Sequence, residues 1–274
     1  MAKLPPMSVG NMPIDGSHFI FDESEYLNLS ENEKNSKYIF KFIGAQEFLQ
    51  GKKRWSLWIE DDDLKDALSQ QFINERVEKV KAFRLASSRE ATKDLADFPH
   101  KYGFISRRKG NMVIIPKVSS ERREYIPISY LDDSHVVSDL VFCVYDAPTW
   151  LITLLSSSMH MTWVRAVAGR LKSDYRYSSA ICYNTFPVPN LDDEIQNNLT
   201  ELAIELLTQR EEYSDKTLAQ LYDPLKMPEG LRRVHSKIDD YLDSIYSNTK
   251  LVNEEERLSC LFHKFSEMTG GQNA

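Results

Sequence analysis

The chain has 274 residues, 42% of them hydrophobic and 11% aromatic, which is enough to fill sizeable cores and excludes a solvated tail. Its net charge of −7 is unevenly placed: residues 191–274 hold 9 Lys and Arg against 17 Asp and Glu, whereas residues 100–126 hold 7 basic residues against 2 acidic ones. No apolar run nears the roughly 20 residues of a bilayer span, no secretory h-region opens the chain, and Cys143, Cys182 and Cys260 are too scattered for a disulfide framework or a cysteine zinc site; a cytoplasmic protein without membrane contact is expected.

Taken in chain order, Arg54–Ile59 alternates like a strand, and residues 64–87 place Phe72, Val77, Val80 and Phe83 at helical spacing. Residues 102–107 and 112–118, joined across Lys109-Gly110-Asn111, suggest a hairpin. Residues 136–144 are β-branched enough for one buried strand, and 148–171 read as helix, breakable near Ser156-Ser157-Ser158. The proline break Phe186-Pro187-Val188-Pro189 is followed by helical patterns at 192–212, 229–246 and 253–268, the middle one starting just after Pro228. The spacing of His160 and Trp163 with Val167 points to packing on one helical face, and Tyr175 and Tyr177 read as packing residues beside Arg176.

The chemistry-bearing patterns are as telling as the elements. A cofactor such as S-adenosylmethionine needs close backbone approach, which glycine permits, yet the chain has only 10 glycines and no GxG. An adenine clamp of the Asn-Pro-Pro-aromatic kind is missing too, Asn11-Met12-Pro13-Ile14 lacking the second proline and the ring. No P-loop, HExxH or GxSxG is present. The carboxylates of Glu60-Asp61-Asp62-Asp63 read as a helix N-terminal cluster, since they lack the spacing of a metal nuclease. No catalytic, cofactor or metal residue is therefore expected in this chain.

Several long strings resemble MmeI-like enzymes, in which a methyltransferase domain precedes a target recognition domain and a helical C-terminal domain. They are residues 9–16 (VGNMPIDG), 42–48 (FIGAQEF) with 51–55 (GKKRW), 115–123 (IPKVSSERR) with 125–127, 157–178 (SSMHMTWVRAVAGRLKSDYRYS), and 221–228 (LYDPLKMP). The family's Gly-Asn and FPWP are replaced here by Ser17-His18 and Phe186-Pro187-Val188-Pro189. The resemblance implies an α+β target recognition domain over residues 41–190, an all-α C-terminal domain over 191–274, and a connector over 1–40 from a methyltransferase domain that lies elsewhere, through a split gene, a separate subunit or truncation.

By the same resemblance Lys172 and Asp174 form a base-reading pair, Lys with Asp going with G; Lys117 with Asp139 form a second pair, and Leu140 with Arg176 a third determinant. The chemistry suits the role, because a Lys donor matches guanine O6 and N7 while an Asp acceptor matches cytosine N4. An exposed ion pair is the alternative for Lys172 and Asp174 when composition is taken alone. Arg107, Arg108, Lys109, Arg122, Arg123 and Arg170 are expected to hold phosphates, with a solvated charged face as the alternative. The function implied is recognition of double-stranded DNA for an adenine-N6 methyltransferase of a restriction-modification system. S-adenosylmethionine and the chemistry would belong to a methyltransferase domain or subunit acting in cis or in trans, and the chain alone would be inactive. The alternative is a stand-alone specificity subunit serving a separate methyltransferase.

Overall fold

The computed structural model describes residues 3–30 and 37–270. Two compact units divide the chain: a smaller one of Val9–Lys109 and Asp132–Val141, and a larger one of Met1–Ser8, Gly110–Leu131 and Phe142–Ala274. Sheets and helices mix up to about residue 183, and from Asp193 onward every assigned element is helical, so the expected fold class, α+β followed by all-α, is observed.

In the smaller unit the sheet order is Ile20–Asp22, Arg54–Leu57, Ile39–Ile43, His135–Val137, the last strand pairing in parallel and the others antiparallel. Phe19, Phe21, Trp55, Leu57 and Val136 fill its core together with Ile73, Val77 and Val80 of the Gln71–Leu85 helix. The helix expected over 64–87 is interrupted at Ser69-Gln70, giving Leu64–Leu68 and then Gln71–Leu85.

Residues 9–16 are tied to this unit by backbone satisfaction. Gly10 lies so close to Ser138 that a Cβ would come within 2.2 Å of its carbonyl oxygen, and Gly16 takes a left-handed φ of +62° under the Phe83 ring. The Asn11 amide donates to Val137 O at 2.9 Å and accepts from the Ser106 and Arg107 amides. Asp15 accepts from the Ser17 and Phe19 amides. Arg84, fully buried, spends its guanidinium on five carbonyls, those of Pro13, Ile14, Leu95, Phe98 and Lys101, at 2.6–3.0 Å.

The hairpin expected over 102–118 does not form. The amides of Ser106 and Arg107 go to the Asn11 side chain instead of a neighbouring strand, and Met112–Pro116 pairs antiparallel with Ser129–Leu131. The single strand expected over 136–144 is two strands in different sheets, His135–Val137 and Val141–Tyr145. Between them Ser138 Oγ accepts from the Leu140 amide, a local turn contact that ends the first strand.

The larger unit holds Met112–Pro116 flanked by Ser129–Leu131 and Val141–Tyr145 in one sheet, and a three-stranded sheet of Gly169–Leu171, Asp174–Arg176 and Val118–Ser119. The helix expected over 148–171 is Trp150–Leu155 and Ser158–Val167, its last residues being strand instead. Ser157 starts the second of these, accepting from the His160 amide. The helices Asp193–Glu211, Glu229–Tyr246 and Glu254–Met268 lie within the predicted spans, capped by Asp192 and Asn253 in the first and third cases. Thr153 Oγ1 donates to Leu199 O at 2.6 Å, fastening Trp150–Leu155 to the Asp193–Glu211 helix. Asp239 on the Glu229–Tyr246 helix accepts from Tyr125 OH and from both the amide and hydroxyl of Ser158. Burial pushes its carboxyl up from the ordinary value, against the lowering effect of those donors.

Candidate nucleic-acid interface

Six of the twelve predicted contact residues fall on or beside the three-stranded sheet of the larger unit: Lys117, Arg123, Arg170, Lys172, Asp174 and Arg176. Gly169–Leu171 and Asp174–Arg176 pair in the register Gly169 to Arg176, Arg170 to Tyr175 and Leu171 to Asp174. The third strand adds Val118 opposite Arg176 and Ser119 opposite Tyr175. Directly opposed residues share a face of an antiparallel sheet. One face thus carries Leu171, Asp174 and Arg176; the other carries Arg170, Tyr175 and Ser119. Leu171 and Arg176 are exposed and Asp174 is half-buried, whereas Tyr175 and Ser119 are buried. The outward face is the one that holds the predicted readers.

Lys172 and Ser173 form the two-residue turn of this hairpin. Lys172 has φ of +56°, the left-handed region that a two-residue hairpin turn favours and a lysine side chain does not. The Lys172 side chain is exposed at the tip. Asp174, two residues on, accepts from the Glu121 amide at 3.3 Å, so one carboxylate oxygen is held by backbone. Arg176 stands beside the bend at Lys117, whose carbonyl accepts from the Tyr177 amide at 2.9 Å. The Lys117 ammonium lies 5.2 Å from the Phe142 ring centroid. Asp139 and Leu140 belong to the smaller unit, where Asp139 is half-buried and Leu140 exposed.

The root of the hairpin is aromatic. Tyr177 OH meets His160 Nε2 at 3.0 Å, and the His160 ring packs edge-on against Phe186. Burial pushes the imidazole down to about 3, so it is neutral at ordinary pH. Trp163, also buried, packs against Phe262 and Phe265 of the Glu254–Met268 helix and donates to Thr185 Oγ1. Both residues are core, as their helical spacing predicts.

The six predicted phosphate ligands divide. Arg108, Lys109, Arg122 and Arg170 are exposed, while Arg107 and Arg123 are half-buried. Arg107 sits 4.3 Å from the Phe40 ring and 5.0 Å from that of Trp58 and donates to the Asp133 carbonyl. These residues, with Lys37, Tyr38, Glu60, Asp63, Arg108 and Lys109, line a cavity of about 480 Å³ in the smaller unit. Arg123 donates to Ser119 Oγ at 3.3 Å. Burial lowers its guanidinium from the ordinary value, while Asp174 and Asp223 oppose that shift. The acidic run of 60–63 is spent on neighbours: Asp61 binds His100 and Lys101, which hold its carboxyl below the usual range, and Asp63 binds Lys37. Among the described residues no group of three His, Cys, Asp or Glu side chains is placed to hold a metal ion, and no helix is long and apolar enough to cross a membrane.

Two family models together span nearly the whole chain, one described as the MmeI target recognition domain over residues 1–190 and the other as the MmeI C-terminal domain over residues 191–272. The chain belongs to the MmeI family. DNA methyltransferase A of Bacillus subtilis strain 168 is 39% identical to it over 270 residues, which are 98% of this chain and 31% of that protein. A solved structure of the type IIL restriction-modification enzyme MmeI in complex with DNA superposes with a TM-score of 0.92 at 36% identity, covering 98% of this chain and 36% of that one. The chain therefore spans about a third of the length of each of these relatives.

The MmeI resemblance picked out the outward residues of the hairpin, but not what supports them. No sequence pattern marks the Glu121 amide as a partner of Asp174, because a backbone donor leaves no trace in residue type. Arg84 was equally hidden, being one arginine among many until its five carbonyl partners are seen.

Proposed function

We propose that this chain recognises a specific sequence in double-stranded DNA on behalf of an adenine-N6 methyltransferase that uses S-adenosylmethionine, within a restriction-modification system of the cytoplasm. The methyltransferase chemistry resides in polypeptide outside these 274 residues, joined in cis or supplied in trans. One observation carries the reading. The hairpin of Gly169–Leu171 and Asp174–Arg176 presents Asp174 and Arg176 on its outward face with Lys172 at the tip, and a two-stranded β-ribbon is an element that a DNA major groove admits. Lys172 donates to guanine and Asp174 accepts from the paired cytosine. Arg176 and Lys117 flank them as further readers. Arg108, Lys109 and Arg122, exposed on loops, contact phosphates and set affinity without setting sequence.

The test is to offer the purified chain a randomised duplex library at about 50 mM salt, where phosphate contacts are least screened, and to sequence what it retains. A recurring motif containing a G·C pair whose preference disappears in Lys172→Ala or Asp174→Ala is expected. Retention without any sequence preference would remove the reading. Calorimetry with S-adenosylmethionine is expected to show no binding to the chain alone.

A further inference from the structure

Arg170 looks, by type and exposure, like one more phosphate ligand. Its geometry is different. In the strand register Arg170 opposes Tyr175, so it stands on the inward face of the sheet, opposite to Asp174 and Arg176. Its guanidinium lies 3.9 Å from the Tyr175 ring centroid, and Nη1 donates to the Ser173 carbonyl at 3.0 Å. Ser173 is the second residue of the turn and follows Lys172, whose left-handed backbone an L side chain resists. Tyr175 is itself buried and cannot follow the turn if the turn moves.

We propose that Arg170 is a positioning residue for base reading: by stacking on Tyr175 and holding the Ser173 carbonyl it locks the Lys172-Ser173 turn in the conformation that aims Lys172 and Asp174. The inference rests on the reading of Lys172 and Asp174 as base contacts. A guanidinium is required, since its plane covers the tyrosine while an edge donor reaches the carbonyl; an ammonium keeps the charge but cannot do both. The two functions expected of Arg170 thus separate in Arg170→Lys. A phosphate ligand survives that change almost intact. A clamp does not.

The experiment uses the full chain with Arg170→Lys and Arg170→Gln, the second guarding against compensation by the lysine. Two readouts are taken. Hydrogen exchange followed by mass spectrometry is expected to accelerate about tenfold or more in peptides covering residues 169–176, with the Glu229–Tyr246 helix unchanged. Selection from the randomised duplex library is expected to show discrimination at a single base pair falling roughly five- to tenfold in Arg170→Lys, with the same dependence of affinity on salt. Unchanged exchange in the hairpin overturns the proposal. So does a salt dependence that flattens by about one phosphate in Arg170→Gln, near 0.9 in the logarithmic slope, while base preference stays sharp. If instead Lys172→Ala and Asp174→Ala alter no position of the selected motif, the base-reading assignment fails, and the exchange result alone then decides whether Arg170 clamps the turn.

Discussion

The segment 9–16, which packs with Arg84, and the hairpin 169–176 both lie in strings that resemble the MmeI family, and both carry polar side chains, yet these end in opposite places. In the first, every polar group turns inward: Asn11, Asp15 and Arg84 satisfy backbone groups, and Arg84 alone meets five carbonyls. In the second, Asp174 and Arg176 stand on the outer face of a thin sheet while Tyr175 and Tyr177 go inward. A shared family string therefore says that a residue matters without saying whether it holds the scaffold or meets the ligand. What separates the two is whether the polar atoms are used up inside the protein.

The largest expected effect lies on the inward side. Arg84→Ala takes the guanidinium from five carbonyls, of which Pro13, Leu95 and Phe98 keep a backbone amide donor, and empties the space of a fully buried side chain; it should lower stability by about 3–5 kcal/mol, in the range for breaking a buried charged network. Urea unfolding followed by tryptophan fluorescence measures it, and Trp55 and Trp58 in the same unit report directly. A loss under 1 kcal/mol would place Arg84 among ordinary surface arginines and dissolve the contrast.

Next comes pH, which acts on the buried support of the hairpin. The folded pKa of His160 lies near 3, below the unfolded value of ~6.5, so the unfolded chain binds more protons between those values. Its contribution is fully present above pH 6.5 and declines as pH falls, by about 1.4 kcal/mol per pH unit and so about 2 kcal/mol at pH 5. His235, also driven down by burial, adds in the same direction. Comparing urea midpoints at pH 7 and pH 5 for the wild type and His160→Gln should show a shallower dependence in the variant.

On the outward side the expected changes fall chiefly on sequence choice. Exchanging the pair, Lys172→Glu with Asp174→Arg, should move the preferred base from G to C at one position and leave the other positions unchanged. Either single change should cost about 1–3 kcal/mol on the original site. Mapping methylated adenines after reconstitution with a methyltransferase domain reads this out. A motif altered at several positions at once would mean the sheet acts as a whole and not through separable readers.

The smallest effect is expected from Lys172→Gly. Removing the side chain relieves the left-handed φ, and the chain should gain up to about 1 kcal/mol in stability while losing base discrimination. Thermal unfolding combined with the library selection separates the two consequences. A destabilised variant would show that the lysine is held by packing and carries no strain.

Several helix starts are readable because their chemistry is local: Asp192, Asn253 and Ser157 each accept from an amide three residues on. The residues of the outward face were legible too, through the family's strings. The hairpin that bears them was not. Ala166-Val167-Ala168-Gly169-Arg170-Leu171 continues a helical composition, and Lys172-Ser173 lacks the Asn-Gly or Asp-Gly signature of a tight turn, so nothing local announces a strand reversal. What ends the helix is the extended backbone of Ala168, ψ 142°, and the pairing of Gly169–Leu171 with Asp174–Arg176, which in turn pairs with the distant Val118–Ser119. The split of 136–144 escaped for the same reason: its apolar run is continuous in composition, while the two halves pair in different sheets.

The left-handed backbone at Lys172 also limits which side chains the tip of this hairpin can carry. Unbranched side chains, among them Lys, Glu, Gln, Arg and Asn, tolerate that conformation at modest cost, whereas Val, Ile and Thr clash with their own backbone there. The side chains that remain include those with hydrogen-bonding ends, suited to the polar edges of G·C and A·T pairs, beside unbranched apolar ones such as Leu and Met; threonine's methyl contact to thymine is disfavoured. If Lys172 reads a base as proposed, variation at this position is channelled away from β-branched side chains, and a library built to reprogramme the hairpin wastes its diversity on every β-branched codon it includes.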